Sequence, residues 1–196
     1  LPAVNDARVR YLNPEEVQKL HVALPAWLKP IVSLARNTGL RRENLLSLTW
    51  AQVDFSTGLI SFPVTKNGEP LLMPLNASAL KVLEVQSRVR RLHSPWVFCD
   101  ESGRRFTGDQ VSMAFGRVCR KVKIAGLRFH DLRHDFASQL VQRGVDIYLV
   151  KGLLGHKDLR MTSRYAHLKP ENFAAVRVLD DEPGHDLVTE AKKKGA

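Results

Sequence analysis

The stretch His130-Asp131-Leu132-Arg133-His134-Asp135-Phe136-Ala137-Ser138 lies in a segment that reads as helix over residues 129–143. At about 100° per residue, Phe129, Leu132, Phe136 and Leu140 share one apolar stripe, and His130 and Arg133 lie together on its flank. An imidazole and a guanidinium three residues apart at the edge of a buried face are placed where one phosphate meets both. The same pair is also an ordinary surface feature, because His and Arg are common at core margins. By itself the segment establishes a helix, not a function.

Working outward, further helices are expected over residues 146–154, 159–166 and 170–178. The segment 180–196 is polar, ends in Lys192-Lys193-Lys194, and is expected to be a flexible tail or a remnant of processing. Upstream, Asn13, Pro14 and Glu16 have the form of an N-cap, a first-turn proline and a reciprocal acid, so a helix starts at Asn13 and runs to about residue 21. A second helix is predicted over 27–37, closed by Gly39, and a short third over 43–48. Strands follow at 53–55, 59–63 and 71–75, joined by turns at 56–58 and at Lys66-Asn67-Gly68. Helical spacing returns with Leu80, Leu83 and Val89, and after a loop over 93–108 with Val111, Phe115, Val118 and Val122. The fold class is mainly α with a small three-stranded antiparallel β-sheet, without internal repeats.

Composition narrows the partners. With 196 residues, 44% hydrophobic, the chain can build one or two compact domains around a real core. Thirty Lys and Arg against twenty acids leave a formal charge of +10, which favours a polyanion: nucleic acid, a membrane surface or an acidic protein. Cys99 and Cys119 have neither CxxC spacing nor a framework of several pairs, so both read as reduced thiols suited to a cytoplasmic protein. No apolar run reaches the roughly 18 residues of a membrane span, and the N-terminus lacks a charged-then-apolar export pattern. Because the chain begins at Leu1, further residues are expected upstream.

Other candidates for chemistry lie apart in the sequence. Leu153-Leu154-Gly155-His156 precedes Tyr165 by nine positions counted from the histidine, inside Arg164-Tyr165-Ala166-His167. Met161, Tyr165 and Leu168 also fall at helical intervals, which alone makes Tyr165 a core aromatic with its hydroxyl at the rim. Thr38-Gly39-Leu40-Arg41 sets an arginine just past a helix end, and Lys66 sits in a β turn. Each alone reads as a surface charge.

Taken in order, TGLR, the turn lysine, HDLR, LLGH and RYAH resemble the tyrosine recombinase, or phage integrase, family over residues 11–178. The resemblance implies a tyrosine recombinase catalytic domain over residues 1–179, with the separate helical DNA-clamping domain that usually precedes it absent from this chain. It implies that Arg41 and Arg133 clamp the phosphate, that Lys66 is the turn lysine, that His130 and His156 are the active-site histidines, and that Tyr165 is the nucleophile. Double-stranded DNA is the implied partner. Self-association on it as dimer and tetrameric synapse is expected, with DNA-bending accessory proteins and the helix around Phe173, Ala174 and Val176 packing on a neighbour. One position departs from the pattern: where the family has an acid three places after the first arginine, this chain has Asn44, and Glu43 is left out of the catalytic set.

These residue types suit metal-free transesterification. Attack on a phosphodiester gathers charge on the non-bridging oxygens, which two bidentate guanidinium groups and a histidine can meet. A phenol with an ordinary pKa of about 10 needs a base, for which His130 is the candidate, and the departing 5′ oxygen needs an acid, for which Lys66 is suited. The product is a 3′-phosphotyrosine that a 5′ hydroxyl reverses. Neither cofactor nor ATP is expected, and no GxxxxGK[ST] loop is present.

Three rival readings remain at this point. His130 and His134 are four apart, as in HExxH zinc hydrolases, but Asp131 replaces the glutamate and Arg133 would repel a dication. A type IB topoisomerase uses similar chemistry and is told apart by relaxing any supercoiled plasmid. A DNA-binding module without catalysis would be indifferent to Tyr165→Phe.

Overall fold

The computed structural model describes residues 10–64, 68 and 70–169. Helix α1 spans Pro14–Ala23, two residues beyond the predicted end, and opens with the expected reciprocal cap: Glu16 N–H donates to Asn13 Oδ1 at 2.8 Å and Asn13 N–H to the Glu16 carboxylate at 3.1 Å. Helix α2 (Leu28–Thr38) ends at Gly39 and α3 covers Arg42–Leu46. Strands β1 (Val53–Asp54), β2 (Leu59–Phe62) and β3 (Leu71–Pro74) form an antiparallel sheet in the order β1-β2-β3, with Ile60 paired to Val53 and Met73. Ile60, Phe62, Leu71 and Met73 are buried, so one face of the pleat supplies core.

Helix α4 (Ala77–Arg88) is capped by Asn76, whose side chain accepts the Ala79 N–H. Its buried residues are Ala79 and Leu83. Val89, expected on the stripe, lies past the helix end and is 62% exposed. Helix α5 (Gly108–Lys121) buries Val111, Phe115, Val118 and Cys119, and burial pushes the Cys119 thiol up to about 11, an inert group.

Helix α6 (Asp131–Gln142) starts two residues later than expected and is the pivot of the fold. Packed by α2 on one side and α7 (Ile147–Leu154) on another, it buries Leu132, Arg133, Asp135, Ala137, Ser138 and Val141, more than a single stripe holds. Asp135 is fully buried and accepts three donors, Leu12 N–H at 2.9 Å and Arg36 Nε and Gln139 Nε2 at 2.8 Å, tying the entering chain and α2 to α6. The helix expected over 159–166 is broken: α8 covers only Arg160–Ser163, and a single 3-10 turn follows at Ala166–Leu168.

Two apolar clusters result. The larger runs from Leu12 to Leu132 and joins α1 to α5 with the sheet. The smaller comprises Ala137, Val141, Val150, Leu154 and Tyr165. Among the described residues no helix is long and apolar enough to cross a membrane. Lys66, the helix expected over 170–178 and the tail over 180–196 lie outside the described residues.

Candidate active site

Glycine builds the seat of each arginine. Gly39 ends α2 and Gly155 ends α7, both in the left-handed region with φ of 61° and 59°. A side chain at Gly39 would also collide with the Phe136 ring on α6. Helix ends leave carbonyls without intrahelical donors, and these carry the negative end of the helix dipole. Arg133, only 6% exposed, fills two of them: Nη1 donates to Gly39 O at 2.7 Å and Nη2 to Leu154 O. Arg41 donates from Nη2 to Gly155 O at 3.2 Å. The TGLR and LLGH motifs therefore do two jobs, each ending a helix and orienting a guanidinium.

This geometry answers the departure at Asn44. Glu43 is turned to solvent and pairs with Arg42 at 3.3 Å, while a main-chain carbonyl orients Arg41 in place of a carboxylate. Among the described residues neither Arg41 nor Arg133 forms an ion pair. Two cations without a countercharge leave the cleft strongly positive. Burial and the Arg41 charge lower Arg133 to about 10, which still leaves it charged at neutral pH.

The same field acts on the imidazoles. His156 follows Gly155 and is held by Thr162, fully buried, whose Oγ1 lies 2.8 Å from Nδ1. Burial, then Arg133, Arg41 and Arg164, depress it to about 4. His130, at the entry of α6, is lowered by burial and by Arg133. Both are neutral near pH 7.

Tyr165 sits at the break between α8 and the 3-10 turn, 1% exposed, its ring among Ala137, Val141, Val150 and Leu154. Its hydroxyl lies 2.5 Å from Nδ1 of His134. His130, the expected base, instead meets His134 edge-on, with ring centroids 5.3 Å apart. Burial raises the phenol pKa, opposed by Arg164 and Arg133.

Arg41, His130, Arg133, His156 and Tyr165 thus line one cleft of about 290 Å3, together with His134, Met161 and Arg164. Five of the six expected residues are brought together, and the sixth, Lys66, lies outside the described residues. Sequence reasoning weighed His134 only as a zinc ligand and missed Thr162 and Arg164, although His134 stands one helical turn from His130 and beside Arg133. Clefts of about 920 and 710 Å3 flank the segment from Ala125 to Arg128, so size alone does not mark the site. No group of three or more His, Cys, Asp or Glu among the described residues is placed to hold a metal ion.

The chain is similar to known proteins in sequence and in fold. The model of the phage integrase family matches residues 10–172. The integrase of Salmonella phage P22 is 33% identical over 186 residues, covering 88% of this chain and 47% of that protein. Tyrosine recombinase XerC of Pseudomonas fluorescens (strain Pf0-1) is 33% identical over 156 residues, covering 74% and 50%. The chain spans about half the length of the curated relatives it matches. Among solved structures, XerA recombinase superposes with a TM-score of 0.70 at 24% identity, over 86% of this chain and 63% of that one. A lambda integrase dimer bound to a core site gives 0.68 at 22%, over 83% and 61%. The fold is that of the tyrosine recombinase catalytic domain, and with the family model covering most of its length, the chain belongs to the phage integrase family.

Proposed function

We propose that this chain is the catalytic domain of a site-specific DNA recombinase that cleaves and rejoins duplex DNA through a 3′-phosphotyrosine on Tyr165. The observation that carries the reading is the convergence of Tyr165, Arg41, Arg133, His130 and His156 on one cleft. Tyr165 Oη attacks the phosphorus in line, the P–O5′ bond breaks, and the phenolic proton passes to an imidazole of the cleft. Arg41 and Arg133 bind the non-bridging oxygens, held in advance by helix-end carbonyls so that no reorganisation is needed as charge develops. His156, its Nδ1 engaged by Thr162, has Nε2 left to hydrogen-bond the same oxygens. Lys66 protonates the departing O5′. The reverse attack by a 5′ hydroxyl on the phosphotyrosine reseals a strand without ATP or metal.

Exchange between two duplexes asks for four such domains around a Holliday junction, with a DNA-clamping domain and DNA-bending proteins as partners. The +10 charge supports a polyanionic substrate, and the phage P22 relative favours an integrase reading. The reaction belongs in the cytoplasm, where Cys99 and Cys119, both free, stay reduced. The test is incubation with nicked suicide duplexes from the attachment region in excess chelator. A denaturant-resistant adduct is expected with the wild type and none with Tyr165→Phe. Relaxation of any supercoiled plasmid, without need of a paired site, would favour the topoisomerase reading.

A further inference from the structure

We infer that His134 is a catalytic residue of this cleft, the group that takes the Tyr165 proton during cleavage and returns it during resealing. The inference rests on the reading of Tyr165 as nucleophile and adds a seventh member to the expected set.

Contact is the first argument. The Tyr165 hydroxyl is 2.5 Å from His134 Nδ1, while among the described residues His130 makes no hydrogen bond to it. With Tyr165 buried among Val141, Val150 and Leu154, bulk water has poor access to that proton. Address is the second. His134 follows Arg133 on α6 and stands one turn beyond His130, so a single rigid helix presents the phosphate clamp and the proton acceptor side by side.

Charge supplies the timing. His134 faces His130, Asp131 and Arg133 from α6, His156 from beyond α7, and Arg164 and Tyr165 from the break after α8. Burial and His130 are the leading causes that push it down to about 4, partly opposed by Asp131, so the ring is neutral, and in the tautomer that carries its proton on Nε2 the Nδ1 lone pair accepts the phenol O–H. A phosphodiester entering between Arg41 and Arg133 brings the missing negative charge, and the transition state adds more. The proton affinity of His134 therefore rises as the phenol gives up its proton. In balance, Oη–P forms, P–O5′ breaks, the phenolic proton goes to His134 Nδ1, and O5′ takes its proton from Lys66. Resealing runs each transfer backwards.

The experiment is single-turnover cleavage of a suicide duplex across roughly pH 6–9, with DNA affinity and thermal melting measured in parallel. His134→Asn places an amide oxygen where Nδ1 stood, so it keeps an acceptor for the phenol but cannot take its proton. We expect near wild-type melting and affinity with cleavage lowered about 100-fold or more. The remaining rate should climb about tenfold per pH unit across this range, because burial holds the phenol pKa above its ordinary value of about 10, whereas the wild type stays level. His134→Ala should recover cleavage with added imidazole, which fills the vacated ring position, whereas Tyr165→Phe should not. Cleavage by His134→Asn within about threefold of wild type and with the same pH profile would overturn the inference, as would a His134→Ala defect that imidazole leaves untouched. An adduct formed by Tyr165→Phe would overturn the nucleophile reading itself, whatever the His134 variants do.

Discussion

In the large apolar cluster, Leu28, Ile31, Leu34 and Leu45 meet their neighbours as purely apolar side chains, whereas the small cluster has a phenol among its five buried members. The first can be dense and indifferent to chemistry. The second must both exclude water from Tyr165 and leave its oxygen on the cleft wall, 2.5 Å from His134. Arg133 lies between them, bonded to the carbonyl of Gly39 on one side and of Leu154 on the other. The difference teaches that the large cluster borders the proposed phosphate seat, while the small one holds the proposed nucleophile.

Removal of the phenolic oxygen breaks this division most completely. Tyr165→Phe should abolish the covalent adduct in a denaturing gel while leaving the thermal midpoint nearly unchanged, since the ring still fills the small cluster. Arg133→Ala follows. It should lower single-turnover cleavage about 100- to 1,000-fold. Leaving two buried carbonyls unpartnered should also destabilise the domain by about 2–4 kcal/mol in a denaturant titration. Arg41→Ala, with one longer bond and a more exposed side chain, should match the catalytic loss with a stability loss of only about 1 kcal/mol. Equal stability losses would mean that the two seats are equivalent.

A matched pair of core truncations sharpens the comparison. Leu34→Ala and Leu154→Ala should each cost about 2–5 kcal/mol, measured by denaturant unfolding. Below their transitions, Leu34→Ala should cleave at the wild-type rate and Leu154→Ala several-fold more slowly, because only the latter loosens the wall around Tyr165. The smallest effect is on pH. His134 and His156, depressed to about 4, and His130, lowered in the same direction, bind fewer protons folded than unfolded. Stability should therefore fall as pH drops from their ordinary 6.5 toward 4 and lose this slope below it. Thermal melts of wild type and His156→Gln over that window should show a shallower decline in the variant.

Much of this was legible before any coordinates. The Asn13 cap, the three strands and the left-handed Gly39 follow from local rules, and their boundaries moved by only a residue or two. Misreadings came where tertiary contact overrides periodicity. A single stripe on α6 left Arg133 on a flank, but packing by α2 and α7 buries it. Met161, Tyr165 and Leu168 look helical in spacing, yet the helix breaks at Tyr165 so that the ring enters the small cluster.

The amino-acid order alone determined the secondary structure outside the break at Tyr165, the excess of cations and which residue types were on hand for phosphoryl chemistry, because caps, turns and side-chain charge are properties of near neighbours. Only the folded chain decided which imidazole meets the phenol and what orients the arginines. His130 and His134 are the same residue type one turn apart, and spacing cannot rank them. The groups that hold Arg41 and Arg133 are main-chain carbonyls at helix ends, which glycine marks in the lettering, but only packing decided which arginine each carbonyl receives.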